Sequence, residues 1–323
     1  MAVRIGFVGA GGVAARHAAI LAGFPDVELV GVVDPDTERA TSFAAAHRIR
    51  ADPTLGELLR NGVDAVYVCV PPFAHGEPEA AAAACGAAVF VEKPLALDVG
   101  VAEVVAAQLA AAGVATAVGH HWRYAATVRM AARVLEGRAL RLVSGSWLDK
   151  VPPVPWWSRL DLSGGQLVEQ AVHVLDLARL LAGEVAEVHA IADARPPTDE
   201  EGADLDGASA AILRFSSGAV GTLAATCGLS WKHRAGLEIC ADDLVLGVGE
   251  DWLEVRDPGE ARRYTVDPDE AKVAADRAFV DAVLGRPAEV VDYVEALRSH
   301  RLACALAASV TASRPMALGG GDG

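Results

Sequence analysis

Short runs of β-branched and other apolar residues recur through the first 119 positions, at Arg4–Val8, Glu28–Val33, Ala65–Val70, Ala88–Val91 and Ala115–Val118. Between them lie Ala- and Leu-rich stretches of helical length, so the pattern predicts strands alternating with helices. The strand runs are apolar nearly throughout, not at every second position. That is the signature of parallel strands covered on both faces. With right-handed crossovers, such alternation winds into an open α/β sheet flanked by helices.

Beyond position 119 the pattern changes. A helix over Ala125–Leu135 leads into a strand-like run at Leu140–Trp147, a Pro/Trp-rich loop at Val151–Trp157 and a long amphipathic helix over Gln166–Leu181. From Val185 towards Val266 the chain reads as strands parted by turns; Ser209–Phe215, Ser216-Ser217-Gly218 and Ala219–Ala225 spell a hairpin. Arg195–Asp206 reads as an exposed acidic loop, and helices near Asp269–Leu284 and Tyr293–Ala312 precede a Gly-rich, frayed tail. The expected architecture is a doubly wound parallel sheet over residues 1–119 and an α+β domain over 120–323. The second domain is expected to rest on a large, mostly antiparallel, open-faced sheet, with its last helix packing back on the first domain.

Composition narrows the partners. A chain of 323 residues, 52% hydrophobic and 22% charged, holds two globular domains and excludes a disordered or fibrous class. A net charge of -15 repels phosphate backbones and anionic membrane surfaces, so neither nucleic acid nor membrane is an expected partner. The five cysteines are scattered without ligand spacing and read as reduced core residues. The opening Met1 to Gly9 lacks the pattern of a secretory leader, and charges and glycines interrupt the Ala-rich stretches before about 20 apolar residues accumulate. A cytoplasmic protein is expected.

Gly9-Ala10-Gly11-Gly12-Val13-Ala14 follows the first strand run and opens a helix, matching GxGxxG/A in the context that a Rossmann dinucleotide site requires. The glycines let the backbone approach a pyrophosphate, whose charge the helix N-terminus stabilises, and Ala14 permits close helix–strand packing. Asp34, about 20 residues on, is placed to accept hydrogen bonds from the adenosine ribose. It would repel a 2′-phosphate, and no Arg or Lys follows until Arg39, so NAD is expected in preference to NADP.

Two further segments sit at strand ends, where ligands bind in such sheets: Val70-Pro71-Pro72-Phe73-Ala74-His75 and Val91-Glu92-Lys93-Pro94-Leu95. With the glycine motif, and with Gly164-Gly165-Gln166-Leu167-Val168-Glu169-Gln170-Ala171-Val172-His173-Val174-Leu175-Asp176, they resemble the Gfo/Idh/MocA oxidoreductase family. The resemblance implies that Lys93 lies near the reacting carbon and that His173 faces the nicotinamide from the second domain. It also draws Pro71, His75, Glu92 and Lys93 into the cofactor site and implies dimers or tetramers through the C-terminal sheet. One departure is Glu169, where the family usually has Asp.

The residues argue for the same chemistry. On a single helix, Glu169, His173 and Asp176 would lie along one face. Oxidising a secondary alcohol needs a group for the hydroxyl proton, and histidine titrates near neutrality. His173 is expected to exchange that proton while Lys93 binds and polarises the oxygen, with proton transfer through Lys93 as the alternative. Glu169 completes the catalytic set. The i, i+4 spacing of Glu169 and His173 also suits a metal, but no second ligand cluster accompanies it and no metal is expected. Around this centre, Arg123 and Tyr124 are candidates to bind substrate hydroxyls or a carboxylate, and Trp156 and Trp157 to stack on a sugar face or plug an interface. The expected function is NAD-dependent oxidation or reduction at a secondary alcohol of a sugar, inositol or related polyol. The alternatives are a redox-neutral, NAD-dependent glycoside cleavage and a non-catalytic dinucleotide sensor.

Overall fold

The computed structural model describes residues 2–198 and 201–319; Asp199 and Glu200 of the acidic loop and the last four residues of the Gly-rich tail lie outside them. The chain forms two compact units. One comprises residues up to His120 together with Val273–Leu297, the other His121–Lys272 together with Arg298 onward.

The first unit holds six parallel strands: β1 (Val3–Val8), β2 (Val27–Val33), β3 (Arg50–Ala51), β4 (Ala65–Val68), β5 (Ala88–Val91) and β6 (Thr116–Val118), in the order β3-β2-β1-β4-β5-β6. The order reverses between β1 and β4, which opens a crevice at their carboxyl ends. Helices α1 (Gly12–Leu21), α2 (Thr37–His47), α3 (Leu55–Arg60), α4 (Glu77–Ala84) and α5 (Val99–Ala112) make the crossovers. Ala14, Ala18 and Leu21 of α1 form a buried stripe at i, i+4 and i+7 and join Ile5, Phe7, Tyr67 and Phe90 in one core. The strand β3 escaped sequence reading because it is two exposed residues long.

The second unit contains α6 (Ala126–Leu135), β7 (Leu140–Leu148), α7 (Leu160–Ser163), α8 (Gly165–Glu169), α9 (Val172–Ala182), β8 (Val185–Asp193), β9 (Ala208–Phe215), β10 (Val220–Thr226), β11 (Arg234–Ala241), β12 (Leu244–Val248), β13 (Trp252–Arg256) and β14 (Ala261–Thr265). Helices α10 (Pro268–Val283) and α11 (Tyr293–Ala312) follow, then β15 (Met316–Ala317). Phe279 and Val280 of α10 belong to the first unit's core, so residues 273–297, which the sequence placed in one continuous 120–323 domain, pack with the first unit.

Nine strands form the second sheet, ordered β14-β13-β12-β11-β7-β10-β9-β8-β15, and β7–β10 is its one parallel pair among the described residues. The expected hairpin is β9–β10, with Arg214 opposite Val220. Helix α9 packs on one face over Gly145, where a side chain would collide with Val174. The opposite face is open and carries exposed Ile191, Ile212 and Val220.

The single helix expected over Gln166–Leu181 is two. The chain breaks at Gln170 and Ala171, where the Ala171 N–H donates to the Gln166 carbonyl five residues back, widening the turn between α8 and α9. Glu169 ends one helix and His173 lies in the next, so regular i, i+4 spacing does not relate them. Among the described residues, no helix is long and apolar enough to cross a membrane.

Candidate active site

The crevice of the first unit begins at Gly9, which follows β1 with φ +92°; a side chain there would run into the backbone carbonyl of Cys69 at the end of β4. Only glycine lets the two strand ends come this close. Gly11 and Gly12 are glycine for another reason. Gly11 has an ordinary φ of -78°, and a Cβ at either position would meet nothing within 4 Å. Packing within the chain does not demand them, yet they keep bare the N-terminus of α1, which has no side-chain cap. Unpaired N–H groups, the positive end of the helix dipole and open space together fit a dinucleotide pyrophosphate. Ala14 is fully buried against the strands, while Val13 is 40% exposed at the rim.

Asp34 follows β2. Its two carboxylate oxygens accept the backbone N–H groups of Ala10, at 2.9 Å, and Asp36, at 2.8 Å, so it is fixed beside the glycine turn with acceptor sites left for ribose hydroxyls. Arg39, the first cation after it, reaches to 3.7 Å from Asp34 and leaves half of its side chain exposed.

Beyond β5, Glu92 is nearly buried and heavily bonded. Its Oε1 accepts from His17 Nε2 at 2.8 Å and Arg16 at 3.3 Å, and its Oε2 accepts the backbone N–H of Lys93 at 3.2 Å. A side chain at Gly119 would collide with this carboxylate. Burial alone would raise the Glu92 pKa, but the His17 hydrogen bond and the charges of His17, Arg16 and Lys93 overcome it and hold the group at about 2. Pro71 is partly exposed at the mouth of the β4 loop. His75 is not: its side chain is fully buried and its Nδ1 bonds Glu79 at 2.5 Å. Its expected place among the cofactor contacts is corrected to one behind the loop, supporting α4.

In the second unit His173, near the start of α9, is buried in an aromatic stack. The Trp122 and Trp147 rings lie 5.5 and 5.8 Å from it, nearly parallel, and the His121 ring meets it edge-on at 5.3 Å. His121 Nε2 bonds Glu250 at 3.2 Å, and Lys232 bonds the other Glu250 oxygen at 3.1 Å while lying over Trp147. Burial works against the Glu250 charge, but His121 and Lys232 together lower its pKa to about 2.

Two expected substrate contacts, Arg123 and Trp157, are engaged otherwise. Arg123 makes a two-pronged pair with Asp176, at 2.7 and 2.6 Å, and Ser299 donates to the same carboxylate at 2.6 Å. With its guanidinium committed to that buried group, Arg123 holds α9 in place, and Tyr124 is buried beside it. Trp157 is fully buried in a small cluster with Leu205 and Cys227, against which Trp156 packs. No face of Trp157 is left for a sugar. Its indole N–H instead donates to Glu169 at 2.7 Å, an interaction for which the extra methylene of Glu over Asp supplies reach. Trp157→Phe is therefore expected to cost about 1–3 kcal/mol by removing a hydrogen bond to a charged group, and Glu169→Gln, which keeps an acceptor, to cost less; thermal unfolding of both variants checks this.

Residues 3–120 match the model of an oxidoreductase family with an NAD-binding Rossmann fold, and residues 127–243 match the GFO/IDH/MocA C-terminal domain. The chain belongs to the Gfo/Idh/MocA family. It is 30% identical over 234 residues to myo-inositol 2-dehydrogenase of Thermotoga maritima, covering 68% of this chain and 67% of that one. It is also 30% identical over 188 residues to inositol 2-dehydrogenase of Rhizobium meliloti, a stretch covering 57% of this chain and 56% of that relative. The fold matches levoglucosan dehydrogenase in complex with NADH and levoglucosan, with TM-score 0.90, 18% identity and coverage of 99% of this chain and 100% of that one. This Gfo/Idh/MocA member is an NAD-binding oxidoreductase.

His17, Asp276, Trp147 and Glu250 are drawn into the contacts around the candidate residues, and sequence reading did not single them out. Trp147 reads as one buried position of a strand, and 259 positions separate His17 from Asp276. No local pattern signals either partnership.

Proposed function

We propose that this protein is a dehydrogenase interconverting a secondary alcohol and a ketone on a sugar, inositol or related polyol. The observation that carries the reading is Lys93, set at the ligand-binding edge of the parallel sheet with its backbone bonded to the ionised carboxylate of Glu92. NAD, bound over Gly9, Gly11 and Ala14 with its ribose at Asp34, supplies a hydride acceptor or donor. The Lys93 ammonium binds the substrate oxygen and stabilises the negative charge that builds on it. His173, oriented by its tryptophan stack, exchanges the hydroxyl proton; Lys93 is the alternative carrier. Glu169, bonded to Trp157, completes the catalytic and substrate-binding set. The names of the inositol dehydrogenase relatives support the substrate class, and the exposed Ile191, Ile212 and Val220 of the open sheet face support assembly through that sheet.

The test is NADH formation at 340 nm with purified protein, NAD and a panel of inositols, sugars and glycosides, run again with NADP. Turnover with NAD on a free polyol is expected. Glycoside cleavage without net NADH would replace the dehydrogenase with a redox-neutral enzyme.

A further inference from the structure

His17 lies on α1, less than one turn past the glycine motif, with a side chain only 3% exposed. Its Nδ1 is 2.7 Å from Asp276 on α10 and its Nε2 is 2.8 Å from Glu92. A neutral imidazole carries one N–H and cannot donate to two carboxylates, whereas an imidazolium can. Glu92 in turn passes its second oxygen to the Lys93 N–H.

We propose that His17 is a positioning residue for Lys93: an imidazolium clamp that ties Asp276 to Glu92 and so fixes the Lys93 backbone relative to the helix that holds the pyrophosphate. The proposal rests on the reading of Lys93 given above. Titratable groups lie around the ring on each element packed against it, and of these Asp276 and Glu92 are the ones that raise its pKa. Arg16 comes from α1, Tyr67 and Cys69 from the end of β4, Glu92 and Lys93 from the end of β5, and Asp276 and Arg277 from α10. Phe90 and Tyr67 wall it off from water, at ring distances of 5.0 and 5.2 Å. Burial disfavours the charged ring, but Asp276 and Glu92 outweigh it and raise the His17 pKa to about 9.

The sign of the pH dependence follows. A group whose pKa rises on folding from 6.5 to about 9 contributes stability that is complete below 6.5 and lost as pH climbs through about 9. Above that, the neutral ring releases one of its two carboxylates.

The chain has four lysines, at 93, 150, 232 and 272, so ¹³C-dimethylated lysine resonances are few enough to assign. In His17→Gln and Asp276→Asn the Lys93 resonance is expected to move while those of Lys150, Lys232 and Lys272 stay. The excess melting temperature of wild type over His17→Gln is expected to shrink between pH 7 and 10. With a polyol substrate, kcat of His17→Gln should fall about 10- to 100-fold, the scale of a misplaced reacting group, with NADH affinity changed less than about threefold. An unmoved Lys93 resonance, or equal losses in NADH affinity and kcat, would overturn the clamp. A shifted resonance combined with full activity of Lys93→Met would sink the role of Lys93 and leave the clamp standing. Should His17→Gln fail to fold, Asp276→Asn, which keeps the shape of the side chain, carries the same readouts.

Discussion

Replacing Lys93 with methionine should lower kcat about 10³-fold while leaving NADH affinity within a few-fold of wild type. Removal of one donor aimed at a developing oxyanion typically costs 10²–10³ in rate, and removal of a proton-transfer group about 10²–10⁴. Methionine preserves the apolar stem and removes only the ammonium. Glu92 keeps its bonds to His17 and Arg16 in the variant, so the local backbone holds and the loss is one of chemistry, not folding. Steady-state turnover beside NADH fluorescence titration separates the two. A variant that binds NADH poorly would make Lys93 a cofactor ligand first and a substrate ligand second.

The second large effect is expected at His173. Substitution by alanine would leave a gap beside the stacked Trp122 and Trp147 and cost several kcal/mol of stability, about the scale of losing a buried ring. Phenylalanine fills the stack without exchanging a proton. His173→Phe is thus expected to unfold within a few degrees of wild type yet turn over about 100- to 1,000-fold more slowly, as thermal melts and single-turnover rates would reveal. If His173→Phe is active and His173→Ala is merely unstable, the ring serves packing alone and Lys93 carries the proton.

Local chemistry explains what was legible in the sequence. The glycine turn, Asp34 and Glu92-Lys93-Pro94 act through backbone conformation and strand position, which short motifs encode, and the βα alternation follows from uniformly apolar strand runs. The open mixed sheet was legible as well, because its hairpins are adjacent in sequence. What side chains do after they meet across the fold was not. Arg123 and Tyr124 follow the nucleotide unit in sequence, where polar and aromatic groups suit a polyol, but Asp176, 53 positions away, takes the guanidinium. Trp157 has the composition of a sugar platform and is instead spent on Leu205, Cys227 and Glu169. His75 sits at a strand end like Lys93, yet Glu79 four residues on draws it inward. The break between α8 and α9 escaped because no Pro or Gly marks it; a backbone bond from Ala171 to Gln166 makes it.

The central claim is that hydride passes between a polyol carbon and NAD. It is tested most directly by supplying an inositol or sugar deuterated at its carbinol carbons and measuring label in the recovered cofactor by mass spectrometry. The account predicts one deuterium per NADH formed, lost in Lys93→Met. Tight NAD binding with no label in the cofactor for any member of the panel would contradict it.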